Sequence, residues 1–155
     1  MQNRILRQRV APPIMLADDD ETEAFLTTRA FEQAGIPNRL LVFSNGQAAI
    51  EYLAGKDRFA NREAHPLPCL LLLDQKLPDR SGLEVLEWVR SQSSVCTLPV
   101  LVLSASDSDG DVQAAYLVGA NGYLVKPTKF DDMLAMARAI KEYWLGFNRA
   151  PASAR

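Results

Sequence analysis

The sequence is poor in the residue types on which several kinds of site depend. Its 155 residues include one histidine and two cysteines, and the cysteines, Cys69 and Cys96, show neither metal-site spacing nor a disulfide framework. No apolar run approaches the ~20 residues of a membrane span. A formal net charge of −2 gives no general attraction to nucleic acid or anionic membrane. We therefore expect a reduced, cytoplasmic protein without a nucleic-acid or membrane partner.

The length of the chain suits one domain, because domains typically run to ~100–200 residues. Residues 1–12 lack periodicity and end at a pair of prolines, so we predict a flexible amino-terminal segment there. No long apolar stretch follows its three arginines, which argues against a secretory signal. We predict a single domain over residues 13–148 and a flexible tail over residues 149–155.

Short apolar runs alternate with amphipathic segments along the chain. The predicted strands are Ile14–Ala17, Asn38–Phe43, Cys69–Leu73, Leu98–Leu103 and Gly122–Val125. The predicted helices are Ala24–Ala34, Asn45–Leu53, Ser81–Arg90, Ser108–Gly119 and Phe130–Phe147, the first capped by Asp20 with Glu23 reaching back. This alternation predicts an α/β, doubly wound (βα)₅ fold, a three-layer sandwich with helices on both faces of a parallel sheet.

Polar side chains stand where several of these strands end. They are Asp18 and Asp19, Asp74, Ser104 and Lys126. Ligands bind at the carboxyl ends of the strands in an open α/β sheet, so residues far apart in sequence are expected to meet at that edge. Taken singly, each of these residues could have a purely structural role, such as a carboxylate beside a helix start or a solvated lysine.

This set of side chains suits phosphoryl chemistry on a carboxylate. Asp74 could act as a nucleophile and carry a phosphoryl group as a mixed anhydride. Three carboxylates at one edge repel one another, which raises their pKa values unless a cation is bound, and Mg²⁺ is a natural partner for carboxylate oxygens. Lys126 could neutralise one phosphoryl oxygen and the Ser104 hydroxyl could hydrogen-bond another.

Four stretches of the sequence carry a family resemblance. Ile14–Asp19, Leu73–Gly82, Ser104-Ala105 and Gly119–Pro127 resemble the receiver domain of two-component response regulators, over about residues 13–146. The long loop before the third strand and the ending Glu142–Leu145 are further similar to stand-alone receivers associated with bacterial phytochromes. The resemblance implies a flavodoxin-like, five-stranded parallel sheet in the order 2-1-3-4-5.

The resemblance also implies a role for each site residue. Asp74 would accept a phosphoryl group from a sensor histidine kinase. Asp19 and Asp74 would ligate Mg²⁺ directly, Asp18 through water, and Lys76 through its backbone carbonyl. Lys76 replaces a common asparagine, so its side chain would affect the dephosphorylation rate rather than metal binding.

The remaining roles concern the switch. Ser104 takes the place of the commoner threonine, and Tyr123 occupies the aromatic switch position, expected to turn inward on phosphorylation. Lys126-Pro127 resembles the family's cis peptide. His65 lies before the third strand, so we expect it to be distant from Asp74.

The function implied is that of a single-domain response regulator rather than an enzyme, catalysing only its own phosphorylation and dephosphorylation. Its expected partners are a sensor histidine kinase such as a bacteriophytochrome, or a phosphotransfer protein, and an unknown downstream protein. We also expect a homodimer formed through the fourth helix, fifth strand and fifth helix, with the aromatic end Tyr143–Phe147.

Three other functions fit parts of the pattern. A Mg²⁺-dependent phosphatase with an aspartyl nucleophile usually has a second aspartate two residues later, where this chain has Lys76. An FMN carrier needs a phosphate-cradling loop after the first strand, where Asp18 and Asp19 would repel phosphate. A pseudo-receiver that works without phosphorylation tends to lose the acidic pair or the lysine, which are retained here.

Overall fold

Strands and helices alternate regularly in the structure. The computed structural model describes residues 10–151, so most of the predicted amino-terminal segment and residues 152–155 of the predicted tail lie outside the described residues. The strands are β1 (Ile14–Ala17), β2 (Leu40–Phe43), β3 (Leu70–Asp74), β4 (Val100–Ser104) and β5 (Gly122–Val125). The helices are α1 (Glu21–Gln33), α2 (Gly46–Ala54), α3 (Gly82–Ser91), α4 (Asp109–Val118) and α5 (Phe130–Glu142).

The strands form one parallel sheet in the predicted order, β2-β1-β3-β4-β5. Its register pairs Ala17 with Leu73, and Asp74 with Leu103. Ser104 pairs with Val125, the residue before Lys126. The register therefore brings the ends of four strands to one edge of the sheet, as the sequence predicts.

Helices cover both faces of the sheet. Met15 and Ala17 of β1 pack on one side, with buried residues of α2 and α3, and Ile14 and Leu16 pack on the other, with residues of α1 and α5. Successive side chains of a strand point to opposite faces, so each central strand contributes to both cores. This confirms the doubly wound three-layer sandwich.

The helix starts follow the predicted capping residues. Side chains of Asp20, Asn45, Ser81 and Ser108 each accept the amide of the residue three positions on, at 2.8–3.3 Å. The predicted return of Glu23 to the amide of Asp20 is wrong. That amide donates to Asp18 Oδ1 at 3.0 Å, which leaves the Glu23 carboxylate free for another contact.

Several element boundaries differ from the predictions by one to three residues, as when β4 begins at Val100 rather than at Leu98, and the end of the last helix differs by more. β2 begins at Leu40 rather than at Asn38, whose side chain donates to the carbonyl of Pro12 at 2.8 Å. The last helix keeps α-helical hydrogen bonding only to Glu142, and a π-helical turn follows over Tyr143–Phe147. Gly146 lies in that turn, and glycine in a helix interior is less favourable than alanine by about 1 kcal/mol.

A cavity of about 220 Å³ lies at the amino-terminal edge of the sheet, opposite the edge with the polar strand ends. Cys69 and Pro99, which directly precede β3 and β4, line it. Pro12 and Pro151, near the two limits of the described chain, line it as well. The chain therefore enters and leaves the domain at the same edge.

Candidate functional site

The polar strand ends are held in place by the backbone of the sheet. The amide of Asp18 donates to Phe43 O at 3.0 Å, and the amide of Lys126 donates to Ser104 O at 2.7 Å. Beyond β3, the amide of Gln75 donates to Leu103 O at 3.1 Å. Sheet-type hydrogen bonding thus continues past the strands, which fixes the backbone from which the site side chains project.

Lys126 is the centre of the site. Its ammonium lies 2.9 Å from Asp74 Oδ2 and 3.4 Å from Asp18 Oδ2, and it also pairs with the carboxylate of Glu23. Asp18 and Asp74 are buried, with only 3% and 6% of their surface exposed. Three carboxylates share one ammonium, so the cluster is short of positive charge.

The pKa values reflect this shortage. Burial raises the pKa of Asp18 to about 6, although the amide of Asp20 and the Lys126 charge act against it. Burial by itself would lower the pKa of Lys126, but hydrogen bonds to Glu23 and Asp74 hold that pKa above its usual range. Lys126 is therefore charged at neutral pH, and the buried carboxylate of Asp18 lacks full compensation.

The residues present fit a divalent metal ion. Carboxylate oxygens of Asp18, Glu23 and Asp74 all lie within 4.8 Å of one another. Oxygen ligands from one or two carboxylates are what Mg²⁺ takes in proteins. Asp19 is exposed and stands outside this group, so its role as a direct ligand stays a prediction. Lys76 donates its amide to Asp74 Oδ1 at 3.1 Å, which places its backbone beside the cluster.

Glu23 is the site residue that the sequence interpretation missed. It was assigned to helix capping, but its carboxylate contacts Lys126. In the structure Thr27 and Ala30 are buried, and they follow Glu23 at the i+4 and i+7 positions that share one helix face. That burial is visible only in the fold, so the local sequence pattern did not assign Glu23 to the site. The Glu23 side chain is 42% exposed, so it lies at the border between this buried face and solvent.

Ser104 and Tyr123 both form hydrogen bonds with the loop between β4 and α4. The Ser104 hydroxyl is buried and accepts the amide of Ser106 at 3.1 Å. The Tyr123 hydroxyl donates to Ser106 O at 2.8 Å and lies 3.2 Å from Gln75 Oε1. The Tyr123 hydroxyl thus contacts this loop directly, and the inward turn expected on phosphorylation stays a prediction.

Two further expectations concern the surroundings of the site. The Lys126–Pro127 peptide bond is trans, which corrects the cis form inferred from the resemblance. Trans is the intrinsically preferred isomer before proline, by about 0.5–1 kcal/mol. His65 packs edge-on against Tyr52 and Phe59, in an aromatic cluster outside the carboxylate group.

Within residues 10–151, every helix is too short or too polar to cross a bilayer.

Comparison with known sequences identifies relatives along most of the chain. A family model for the response regulator receiver domain matches residues 14–138. The probable methanogenesis regulatory protein FilR2 of Methanothrix harundinacea is 40% identical over 141 residues, which cover 91% of this chain and 88% of FilR2. The response regulator Rcp1 of Synechocystis is 31% identical over 144 residues, or 92% of this chain and 96% of Rcp1.

Solved structures give the same result. The phosphorylated cyanobacterial phytochrome response regulator RcpA superposes with a TM-score of 0.84 at 28% identity, over 92% of this chain and 99% of RcpA. The Mn²⁺-bound form of Rcp1 superposes with a TM-score of 0.80 at 30% identity, over 91% of this chain and 99% of that structure. With its sheet order, its acidic cluster and these matches, the chain belongs to the response regulator receiver domain family of two-component signalling proteins.

Proposed function

We propose that this receiver is controlled by phosphorylation of Asp74. The observation that supports the proposal is the position of the Lys126 ammonium, 2.9 Å from Asp74 Oδ2 at the carboxyl edge of the sheet. A cation placed there lowers the repulsion between the carboxylate and an incoming phosphoryl group. The phosphoryl donor is a sensor histidine kinase such as a bacteriophytochrome, or a phosphotransfer protein. The similarity to RcpA, a phytochrome response regulator, supports this class of donor.

The proposed reaction is a transfer between two side chains. A carboxylate oxygen of Asp74 attacks the phosphorus of a phosphohistidine, forming an O–P bond while the P–N bond breaks. The imidazole nitrogen leaves with the electron pair and takes up a proton. Water later hydrolyses the acyl phosphate, which returns the Asp74 carboxylate and inorganic phosphate. The protein thus catalyses only its own phosphorylation and dephosphorylation.

The neighbouring residues have separate proposed roles. Lys126 holds one phosphoryl oxygen, and the Ser104 hydroxyl donates to another while its oxygen still accepts the amide of Ser106. Asp18, Asp19, Asp74 and the Lys76 backbone carbonyl would hold Mg²⁺. When bound, Mg²⁺ supplies positive charge that offsets the carboxylates and the transferring phosphoryl oxygens. The Mn²⁺-bound form of Rcp1, a similar protein, supports the binding of a divalent metal ion by this chain.

The proposed output is a change in protein contacts around α4. Ser104 and Tyr123 both bond to the loop that leads into α4. Ala115 is the one buried residue of that helix, so α4 is held weakly and can respond to the loop. The surface formed by α4, β5 and α5 exposes Tyr116, Leu117 and Phe147. We propose that this surface forms a homodimer or docks a downstream protein.

The extent and location of the unit are also proposals. We take residues 13–148 as one receiver domain, acting in the cytoplasm. The match of the family model to residues 14–138 supports the start of this domain.

Phosphorylation is tested by mass. The protein is incubated with acetyl phosphate, with and without Mg²⁺, and its intact mass is recorded. We expect the mass of one phosphoryl group on the wild type with Mg²⁺, and none on Asp74→Asn. The control is Asp109→Asn, which removes an exposed carboxylate from the start of α4 and is expected to be labelled normally. Equal labelling of Asp74→Asn would remove Asp74 from the reaction, and an unlabelled wild type would favour a pseudo-receiver.

A further inference from the structure

Asp79 joins the loop after Asp74 to a distant helix. This side chain belongs to the acceptor loop, residues 75–81, which connects β3 to α3. Its Oδ1 accepts the amide of Gly46 and its Oδ2 accepts the amide of Gln47, both at 2.8 Å. These amides are at the first turn of α2, where backbone N–H groups lack partners within the helix.

The start of α2 is shaped for this contact. A Cβ atom added to Gly46 would lie 2.8 Å from Val85 Cγ2 and 3.2 Å from Arg80 Cβ. The absence of a side chain therefore lets α2 approach both the acceptor loop and α3. Asn45 separately accepts the amide of Ala48, so α2 has its own cap and does not need Asp79 to begin.

The two ends of the acceptor loop are fixed by its own backbone. The amide of Gly82 donates to Gln75 O at 2.9 Å, and the amide of Lys76 donates to Asp74 Oδ1 at 3.1 Å. Asp79 adds a tie between the middle of the loop and α2. Slight burial by itself would raise the pKa of Asp79, but hydrogen bonds from the amides of Gln47 and Gly46 lower it. The carboxylate is therefore charged at neutral pH. The positive end of the α2 dipole favours that charge.

We propose that Asp79 is a positioning residue for the phosphoryl-acceptor site. By tying the acceptor loop to α2, it sets the place of the Lys76 backbone and of the Asp74 carboxylate before metal or phosphoryl donor arrives. A loop ordered in advance loses less conformational entropy when a ligand binds. This inference rests on the proposed function of Asp74, because it concerns the same site.

The inference predicts a specific loss in metal affinity. Supporting residues outside the ligand set typically change metal affinity by about 10–100-fold, and for an exposed tie of this kind we expect Asp79→Ala to weaken Mg²⁺ binding about tenfold. Asp79→Asn keeps one carbonyl acceptor and should fall between the wild type and Asp79→Ala. The phosphorylation rate of Asp79→Ala should recover at saturating Mg²⁺, because the acceptor and its cation are intact.

Asn45→Ala is the matched control. It removes a side-chain cap from the same helix but leaves the tie to the acceptor loop in place. Mg²⁺ affinity is measured by tryptophan fluorescence or NMR titration, and phosphorylation by acetyl phosphate, with urea unfolding alongside. We expect both alanine variants to have lower urea midpoints, and only Asp79→Ala to lose Mg²⁺ affinity.

The outcomes separate the two proposals. If the wild type binds Mg²⁺ and is phosphorylated, but Asp79→Ala and Asn45→Ala have the same affinity, Asp79 is merely structural and the inference fails. If Asp79→Ala does not fold, the test uses Asp79→Asn instead. Wild-type Mg²⁺ affinity in Asp79→Asn would overturn the inference, and a partial loss of Mg²⁺ affinity would support it. A wild type that takes up no phosphoryl group would instead refute the function of Asp74.

Discussion

At the scale of single residues, Gly82 packs directly against the backbone of Asp74, the proposed phosphoryl acceptor. A Cβ atom built on Gly82 would lie 2.3 Å from the backbone oxygen of Asp74 and 2.9 Å from the Cα of Gln75. Real Cβ atoms do not approach backbone atoms so closely, so α3 can begin here only without a side chain. The position of the acceptor loop therefore depends on this glycine.

We predict that Gly82→Ala displaces the acceptor loop. The overlap with backbone should lower the free energy of unfolding by about 1–3 kcal/mol and slow phosphorylation of Asp74 by acetyl phosphate. Urea unfolding and intact-mass time courses measure the two effects. Gly110→Ala is the control, because nothing lies within 4 Å of its added Cβ, and alanine in a helix should stabilise by about 0.5–1 kcal/mol. Equal behaviour of the two variants would contradict the prediction.

Asp79 also gives a pH dependence to stability. Its pKa is lowered in the folded state, so its contribution is present above the unfolded value of about 3.9 and disappears as the pH falls through the folded value. Carboxyl groups begin to take up protons below about pH 5. We therefore predict that, as the pH falls from about 5 to about 3, the free energy of unfolding decreases less for Asp79→Asn than for the wild type. Urea unfolding at several pH values measures this, with Asp109→Asn as the control for net charge. A parallel loss in wild type and Asp79→Asn would contradict it.

Some site residues were predictable from sequence because strand ends mark them. Asp18, Asp74, Ser104 and Lys126 each follow or finish an apolar run, and parallel strands bring such ends together. Glu23 and Asp79 act across the fold, on Lys126 and on the start of α2. Both residues also have local explanations, in capping and in a turn, so their tertiary partners could not be predicted from local pattern.

At the scale of elements, the connection between α2 and β3 is fastened by one arginine. The Arg62 guanidinium donates to Tyr52 O and Leu53 O at 2.8 Å and to His65 O at 3.2 Å. It thereby satisfies carbonyls of the last turn of α2, next to Gly55 in the left-handed region with φ +67°. The long connection between α2 and β3 is therefore held against the end of α2 by hydrogen bonds.

We predict that Arg62→Lys loosens this connection without harming the site. A lysine has one nitrogen in place of the two guanidinium nitrogens that reach Tyr52 O and Leu53 O, so the free energy of unfolding should fall by about 1–2 kcal/mol. Mg²⁺ affinity should not change, because the connection joins β3 at the opposite edge of the sheet. Arg58→Lys is the control, since exposed Arg58 stacks on Phe59 but bonds no carbonyl in the described structure. Hydrogen exchange across residues 56–68 would show the difference, and altered Mg²⁺ affinity would contradict the prediction.

Element positions followed from the sequence more closely than element ends. Capping side chains such as Ser81 and Ser108 gave helix starts, because they act within one turn. The end of α5 was misplaced because Phe130–Phe147 keeps helical apolar spacing through Gly146, while the backbone changes to a π-helical turn. Apolar spacing reports which face is buried and does not distinguish α from π hydrogen bonding.

At the scale of the whole molecule, the surfaces that we propose for phosphorylation and for association are different. The acidic cluster occupies the carboxyl edge of the sheet, while large exposed apolar side chains lie outside it, on α4 and on the terminal turn. The sheet order was predictable from the family resemblance, and the parallel arrangement from the alternation of elements. Self-association could not be read from either, since it depends on which exposed side chains meet a partner.

We predict that phosphorylation promotes dimer formation through α4. Sedimentation with beryllofluoride as a phosphoryl mimic should show a dimer for the wild type. Leu117→Ser should stay monomeric, because Leu117 is 80% exposed and contributes apolar area only to a partner. Phe25→Ser removes a large exposed side chain from α1 and is the control, expected to dimerise normally. A monomeric wild type would leave docking of a different protein as the output.

The edge at which the chain enters and leaves the domain has a practical consequence. Pro12 and Pro151 line the same cavity, at the opposite side of the sheet from Asp74 and Lys126. A fluorescent protein or a surface tether joined next to Pro12 or Pro151 would therefore stand behind the sheet and leave the acidic cluster open. Two fluorophores attached next to these two prolines would lie close to each other, whereas a surface tether at one of them would present the acceptor edge to a kinase in solution.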